Sequence, residues 1–308
     1  MNAVTADAVE TVEVADGVFA YLQPPGGWCV NNAGVLAARP GDGGTVLVDT
    51  AATEARVRRL REELDRLGTG PVRTVINTHH HGDHVFGNGT FGPDAAIIAH
   101  ELARTEMAET GLGLTYLWPD VEWGAIDVSL PTVTFSDTLT LHQGDRRIEL
   151  LHVGPAHTTN DVVVWLPGER VLFAGDVVMP GHAPFNLMGS VAGALTSLDR
   201  LRRLDPLVVV GGHGPVAGPE AFDQTEAYLR WIQEVARNAR RSGLSPVEAA
   251  AKADPGEFTE LADAERIVAN LHRAYVEDAG RPLGTPLDVV AIFNEMVEFH
   301  GRLPACHA

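Results

Sequence analysis

The chain has 308 residues, of which 45% are hydrophobic and 21% charged, and its formal net charge is −18. This length suffices for one large domain or two ordinary ones, and the composition is that of a globular protein and excludes a disordered one. So negative a chain lacks the basic surface that nucleic-acid binding or attachment to an anionic membrane requires.

Cysteine usage and the N-terminal segment indicate the compartment. Cys29 and Cys306 lie near opposite ends of the chain, a spacing typical of neither a disulfide framework nor a zinc finger. Residues 1–17 show neither the basic nor the apolar region of a secretory signal. No apolar run reaches the ~18 residues that a membrane-spanning helix needs. We therefore expect a cytoplasmic protein with reduced thiols.

The first part of the chain is predicted to form short strands and one helix. Apolar runs between Pro- and Gly-rich turns predict the strands, and leucines at helical spacing after a Thr53 N-cap predict the helix. In chain order the elements are the strands Val18–Leu22, Val30–Ala37 and Thr45–Asp49, the helix Thr53–Leu67 and the strand Val72–Asn77.

The middle of the chain repeats this alternation. Its predicted elements are the strand Ala96–Ala99, the helix Glu101–Glu109, the strands Leu139–His142, Ile148–Val153, Val162–Leu166 and Val171–Ala174, the helix Val191–Leu204 and the strand Leu207–Val210. Residues 111–130 contain Tyr116, Trp118 and Trp123 together with prolines. We expect this long excursion to lie near a pocket.

Beyond Gly218 the pattern predicts only helices, over Pro219–Arg241, Ser245–Ala253, Glu257–Glu277 and Leu287–His300. The fold class is therefore α/β (α+β), with stacked sheets flanked by helices in a catalytic domain at 1–218. Residues 219–308 form a helical extension packed on the same domain. We expect this extension to shape the site or to make the contact of a homo-oligomer.

A metal-binding pattern follows the strand that ends at Asn77. His79, His81, Asp83 and His84 fall within six residues, and imidazole and carboxylate are ligands that borderline divalent metals prefer. On an extended loop, side chains two positions apart point the same way. His79 and His81 can therefore hold one cation while Asp83 and His84 turn toward a second. A polyhistidine tag would sit at a chain end, not behind a buried strand.

Three later residues occupy comparable places. His157, Asp176 and His213 each follow a predicted strand and stand beside Gly or Pro, which let the backbone approach closely. Functional sites collect at such loops. We expect these three side chains to join the first four in one site.

The order His-x-His-x-Asp-His, then His, Asp and His, resembles the motif set of the metallo-β-lactamase superfamily over about residues 1–218. The resemblance implies an αββα sandwich with two Zn²⁺ ions per chain at its edge. It also implies that Asp49 hydrogen-bonds a ligand histidine. The implied ligands are His79, His81 and His157 for one zinc, Asp83, His84 and His213 for the other, and Asp176 as the bridge.

Two such cations lower the pKa of a shared water to ~7 and polarise a carbonyl, and Asp83 is the candidate catalytic residue that takes up a proton. This chemistry fits hydrolysis of a thioester, lactone or amide, and equally an aldol or Claisen condensation. Asp176 stands where the cysteine-bearing β-lactamases have Cys, so the chain is more similar to glyoxalase II in this respect.

A finer resemblance runs along nearly the whole chain, to the metallo-β-lactamase-like cyclases of actinorhodin-type aromatic polyketide pathways. It is carried by residues 24–34, 162–167 and 173–193 and by Leu303-Pro304-Ala305-Cys306. It implies a second- or third-ring cyclase that releases an aromatic polyketide intermediate from an acyl carrier protein. The candidate pocket residues are Trp28, Trp118, Trp123, His182 and Phe185.

Other interpretations stay open. One is a general dinuclear zinc thioesterase or lactonase of the glyoxalase II-like type. Another is an RNA-processing phosphodiesterase, which the charge of −18 disfavours, and a third is a non-catalytic partner protein with the same fold. Arginine clusters at 56–61, 200–203 and 237–241 are candidate contacts for an acidic carrier protein, although such clusters are more often a solvated helix face.

Overall fold

The computed structural model describes residues 9–92 and 94–308. Its strands are β1 (Glu10–Ala15), β2 (Val18–Leu22), β3 (Ala33–Leu36), β4 (Thr45–Val48), β5 (Val72–Ile76), β6 (Ala96–His100), β7 (Val133–Phe135), β8 (Thr138–Gln143), β9 (Arg146–His152), β10 (Val162–Leu166), β11 (Val171–Gly175) and β12 (Val208–Gly211). Its α-helices are α1 (Glu54–Leu67), α2 (Gly82–Val85), α3 (Asn88–Phe91), α4 (Glu101–Thr110), α5 (Val191–Arg202), α6 (Glu220–Arg241), α7 (Pro246–Lys252), α8 (Arg266–Asp278) and α9 (Val289–His300). Gly113–Tyr116 and Gly256–Glu260 form 3-10 helices.

Within the described residues, the strands form two sheets. A seven-stranded sheet has the order β1-β2-β3-β4-β5-β6-β7, and a five-stranded sheet has the order β12-β11-β10-β9-β8. The strands from β4 to β7 run parallel to one another, as do β11 and β12, and the remaining neighbours are antiparallel. This arrangement confirms the predicted α/β sandwich.

Alternating side chains of the strands build separate core layers. Val164 of β10 points into the core between the sheets, where it joins Leu36 and Ile76 of the other sheet. Its neighbour Trp165 belongs to the core on the outer face, together with Leu198 of α5. A strand that is buried on both faces has to be apolar throughout, and every residue of Val162–Leu166 is both apolar and buried.

The helix α1 forms where its capping residues predict it. The Oγ1 of Thr53 accepts a hydrogen bond from the N–H of Arg56, and Gly68 ends the helix at a φ of 65°. Leu60 and Leu64 are buried against the outer face of the larger sheet. The helix therefore covers the face of that sheet opposite the inter-sheet core.

The predicted helix Glu257–Glu277 is wrong. Its first part is the 3-10 helix Gly256–Glu260, and α8 begins only at Arg266. The intervening Ala262 exchanges backbone hydrogen bonds with Gly181 and Ala183, so tertiary pairing interrupts the helix. The strands β1 and β7 were not predicted, because β1 is partly exposed and β7 has three residues.

The residues beyond 219 pack α6, α8 and α9 against the outer face of the smaller sheet. Phe222 of α6, Leu271 of α8 and Phe293 of α9 share one core with Leu172 of β11. None of the described helices combines the length and the apolar character needed to cross a lipid bilayer.

Candidate metal centre

Parallel strands bring several predicted ligands to one edge of the sandwich. Asp49 follows β4, whose neighbour β5 leads into the loop of His79. Asp176 follows β11, whose neighbour β12 leads to His213. Because the strands of each pair are parallel, their carboxyl ends lie side by side, which is where sites form in such sheets. His157 comes to the same edge from the loop after β9.

The loop after β5 divides its ligands between two conformations. His81 is extended and occupies the N-cap position of the short helix α2. His79 precedes it in the loop, whereas Asp83 and His84 lie within α2. His79 and His81 therefore meet in one group of side chains and Asp83 and His84 in another, while His79 and His84 also share a third group.

All seven predicted ligand side chains converge. They form three overlapping triads, in each of which the potential ligand atoms lie within 4.8 Å of one another. Six of the seven residues are buried, and His81 is partly buried. The triads are His79, His81 and His157; His79, His84 and Asp176; and Asp83, His84 and His213.

Asp176 lies between the other ligands. Its Oδ2 is 3.4 Å from Nε2 of His157 and 3.3 Å from Nε2 of His213. Its Oδ1 is 3.3 Å from Nε2 of His84. The carboxylate therefore lies between His157 of the first triad and His213 of the third, and it is placed to contact a cation held by either triad.

The protein holds the far nitrogens of these rings. The Nδ1 of His213 is 2.9 Å from the carbonyl oxygen of Val30, and the Nδ1 of His157 contacts the carbonyl oxygen of Phe185. A carbonyl oxygen only accepts hydrogen bonds, so each Nδ1 carries the proton. The Nε2 atom of the neutral His157 therefore keeps its lone pair, and the Nε2 atoms of both rings face Asp176 at the centre of the cluster.

Asp49 orients His84 in the same way. One carboxylate oxygen, Oδ2, lies 2.9 Å from Nδ1 of His84 and accepts from Oγ1 of Thr78 at 2.7 Å, while Oδ1 accepts from the N–H of Thr78 at 2.7 Å. Asp49 is buried, and its φ is 61°. Its two oxygens thus fix both the ring of His84 and the start of the loop.

The cluster has polar atoms that the protein leaves unsatisfied. Nε2 of His79 and His84 and Oδ1 of Asp176 are buried and make no hydrogen bond to any residue that the structure describes. An unsatisfied buried polar atom costs about 1–3 kcal/mol. Nitrogen and carboxylate donors are ligands of zinc, which would satisfy these atoms. The residues therefore fit a zinc-binding site.

Burial and neighbouring charges set the protonation of the cluster. Burial holds the pKa of His79 and His81 well below the ordinary value and lowers that of His157 to about 4. These rings are neutral at pH 7, which is the form that binds metal. Burial also works to lower the pKa of His213, but the carboxylate of Asp176 raises it to about 9. Protons and cations therefore compete for that side of the cluster.

Two glycines allow the strand ends to meet. A Cβ on Gly212 would lie 1.8 Å from Oδ1 of Asp176, and no side chain fits there. Gly175 has a φ of 51°, and a Cβ on it would lie 2.8 Å from Cβ of Thr78. The flanking glycines in the sequence therefore serve close packing around the ligands.

A cavity of about 310 Å³ opens beside the cluster. Its lining includes Asp83, Asp176 and three of the ligand histidines, and the rest of its wall is mainly apolar. The large apolar and aromatic lining residues are Trp28, Phe86, Leu114, Leu117, Phe185, Met188, Val289, Val290 and Phe293. Such a wall next to a metal site suits a flat, apolar ring system.

Two of the five predicted pocket residues line this cavity. Trp28 and Phe185 do so, with their rings in an edge-to-face contact at a centroid distance of 5.2 Å. Trp118, Trp123 and His182 are not among the described lining residues. Trp118 packs behind Trp28 at 5.5 Å, and His182 lies 6.2 Å from the ring of His213.

Sequence reasoning missed several lining residues. His80 lines the cavity, and its Nδ1 lies 3.0 Å from Nδ2 of Asn160. Its place between His79 and His81 could have marked it. Arg266 of α8 and Phe293 of α9 also line the cavity, and no local pattern distinguishes them from other helix residues.

Comparison with known proteins identifies the part of the chain that is shared with a known family. The family model of the metallo-beta-lactamase superfamily matches residues 26–213. The 2,4-dinitroanisole O-demethylase subunit alpha of Nocardioides sp. (strain JS1661) is 31% identical over 206 residues, which cover 65% of this chain and 54% of that protein. The hydroxyacylglutathione hydrolase of Methylococcus capsulatus is 31% identical over 169 residues, covering 55% of this chain and 56% of that protein. The chain thus spans about half the length of these relatives.

Solved structures show the same fold. A metallo-beta-lactamase from Pontibacter korlensis superposes with a TM-score of 0.59 at 21% sequence identity, covering 72% of this chain and 99% of that one.

Proposed function

The chain belongs to the metallo-β-lactamase superfamily, whose members generally bind zinc, and from this premise we propose that it is a dinuclear zinc-dependent polyketide cyclase with thioester-cleaving capacity. Its substrate would be an aromatic polyketide intermediate carried as a thioester by an acyl carrier protein. The observation that carries the proposal is the position of the ligand cluster beside a cavity with an aromatic and aliphatic wall.

The chain's own residues would divide the work. His79, His81 and His157 would hold one zinc ion, and Asp83, His84 and His213 would hold the other. A pair of such ions supplies a nucleophile at neutral pH and polarises a carbonyl. Asp83 also lines the cavity, so its carboxylate would take up a proton from the reacting group.

The apolar wall would position the ring system. Trp28 and Phe185 present aromatic surfaces whose planes make an angle of 75°, and the aliphatic residues Leu114 and Val290 lie in the same wall. Stacking and burial hold a flat ring without hydrogen bonds, which leaves the polar end of the substrate at the ligand cluster. An aldol or Claisen closure needs such confinement, because the two reacting carbons belong to one flexible chain.

A second candidate is a thioesterase of the glyoxalase II-like type. It is favoured by the similarity to a hydroxyacylglutathione hydrolase and by the aspartate at position 176. The largely apolar wall favours the aromatic substrate instead, because a glutathione thioester is polar along most of its length.

The test compares two substrates in zinc-loaded protein. A bicyclic polyketide thioester mimic and a lactoylglutathione thioester are incubated separately, and the products are identified by mass spectrometry. We expect a metal-dependent cyclised and released product from the first and slower hydrolysis of the second. A polyketide product that does not change when zinc is removed and restored would refute the polyketide function and leave the fold untouched.

Two variants make this test specific. His157→Ala removes a side chain of the cluster, and His142→Ala removes an exposed histidine of β8. We expect only the first to abolish turnover. The proposal also includes a cytoplasmic location and docking of the acyl carrier protein on this chain.

A further inference from the structure

Arg266 places a charged group in the wall of the cavity. It is the first residue of α8, only 3% of its surface is exposed, and it lines the cavity. Among the described lining residues it is the single arginine or lysine. It lies outside the segment 26–213 that matches the family model. A permanent cation in so apolar a wall is costly unless something compensates it.

Contacts with the protein fix the guanidinium in one orientation. Its Nη1 donates to the carbonyl oxygen of Ala183 at 3.0 Å, and its Nη2 lies 3.0 Å from Oδ2 of Asp263. The central carbon stands 4.3 Å from the ring centroid of Trp28, a cation–π contact. The Nε is buried and makes no hydrogen bond. The group is thus held rigidly and retains unused donor capacity.

Trp28 is itself anchored to the same helix start. Its Nε1 donates to Oε1 of Glu265 at 2.7 Å. The aromatic face and the guanidinium therefore form one unit. The part of a planar ligand in this cavity that Arg266 would bind is an oxygen on its edge. Stacking and ion pairing would then act on one molecule.

The charges around Arg266 do not cancel its role. Asp263 neutralises one edge of the guanidinium. The carboxylate of Glu265 is already used elsewhere: its Oε1 accepts the hydrogen bond from Trp28, and its Oε2 lies 3.9 Å from Nδ1 of His300. The chain as a whole carries −18 and repels anions. Among the described lining residues outside the ligand cluster, this buried arginine is therefore the feature that can favour an anionic ligand over a neutral one.

We propose that Arg266 is a specificity-determining residue that binds an anionic oxygen, a carboxylate or phenolate, of a planar aromatic substrate. The inference deepens the proposed function and rests on it, because it takes this cavity to be the place where the substrate binds. The substrate class is then an acidic aromatic compound, not a neutral one.

The experiment measures charge selectivity in binding. Calorimetric titration of the zinc-loaded protein gives the dissociation constants of 2-naphthoate and of the neutral isostere 2-naphthamide. We expect the wild type to bind 2-naphthoate with a lower dissociation constant than 2-naphthamide. In Arg266→Gln the preference should fall by about tenfold, the usual scale for a charge-assisted hydrogen bond. Any attraction of zinc for the carboxylate is common to all variants and cancels in this comparison.

Asp263→Asn is the matched control. It removes the ion pair but keeps the guanidinium, and asparagine tolerates the φ of 58° at this position. We expect Asp263→Asn to keep or increase the preference for the anion. If Arg266 served only to form the ion pair with Asp263, Asp263→Asn would instead lose as much of this preference as Arg266→Gln does. A wild-type preference that survives in Arg266→Gln, or that is lost in Asp263→Asn, overturns the proposal.

Two further outcomes are separated by design. If circular dichroism shows that Arg266→Gln is unfolded, Arg266→Met replaces it, because methionine keeps an apolar stem of similar length and removes the charge. A preference equal to that of the wild type in this variant then overturns the proposal. A protein that shows the arginine-dependent preference but cleaves no thioester refutes the proposed function alone. An active cyclase whose selectivity ignores Arg266 refutes this inference alone.

Discussion

Replacing Asp49 by Asn should weaken zinc binding without unfolding the protein. The two oxygens of Asp49 meet three donors, the N–H and Oγ1 of Thr78 at 2.7 Å each and Nδ1 of His84 at 2.9 Å. An amide keeps one acceptor oxygen and turns the other position into a donor. At least one of the three donors therefore loses its partner, and Asn tolerates the φ of 61° as Asp does.

The magnitude follows from what each orientation of the amide breaks. If the NH₂ group faces His84, the imidazole has to move its proton to Nε2, and the lone pair directed at the cluster is lost. If it faces the N–H of Thr78, a buried donor is left unsatisfied at about 1–3 kcal/mol. Removal of such an orienting partner costs about 10–100-fold in metal affinity, which is the loss we expect.

Competition with a chromophoric chelator measures the zinc affinity, and urea unfolding of the chelator-treated protein measures the fold. The control is Asp288→Asn, which keeps the N-cap of α9, since Asn and Asp cap equally well. An Asp49→Asn protein that binds zinc as tightly as the wild type would refute the claim that the carboxylate orients His84. A loss explained entirely by unfolding would refute it as well.

Three other predictions follow from packing, burial and cavity shape. Gly212→Ala should lose bound zinc, because its Cβ would lie 1.8 Å from Oδ1 of Asp176. Gly168→Ala should retain zinc, because its Cβ would have no described atom within 4 Å. Elemental analysis of the two purified variants measures the difference. Burial lowers the pKa of His152 in the folded protein. As the pH falls below about 6.5, the ordinary pKa of histidine, the unfolded state therefore takes up a proton before the folded state does, and the free energy of unfolding decreases. Urea unfolding at about pH 7.5 and pH 5.5 should therefore show a smaller loss of stability for His152→Gln than for the wild type. Leu114→Trp should fill the apolar end of the cavity and raise the KM for an aromatic thioester, with bound zinc unchanged by elemental analysis.

The sequence predicted what local patterns encode. Strands buried on both faces, such as Val162–Leu166, are apolar throughout, and the helix after Thr53 carries its cap and its buried leucines in the right places. The candidate ligands can be selected from the sequence for a different reason, because each is a metal-binding side chain in the loop or short helix that follows a strand. Parallel pairing of β4 with β5 and of β11 with β12 then brings these positions together.

The errors arise where tertiary contacts override local preference. The segment after Glu260 has a helical pattern, but Ala262 pairs with Gly181 and Ala183, and Asp263 adopts a φ of 58°. Both features depend on a loop some 80 positions away in sequence, which no local pattern reports. The same break places Arg266 at a helix start beside Trp28, so the failed prediction and the missed cavity residue have one cause.

The cavity is lined by two parts of the chain, the segment 26–213, which also contributes Trp28 and Phe185, and the helices α8 and α9. All seven residues of the ligand cluster lie within 26–213, the part that matches the family model. Arg266, Val289, Val290 and Phe293 line the same cavity from α8 and α9, outside that part. Relatives that share the sandwich therefore need not share these wall residues. Substitutions in α8 and α9 should change which substrate is bound, while substitutions after β5, β11 and β12 should abolish metal binding for every substrate alike.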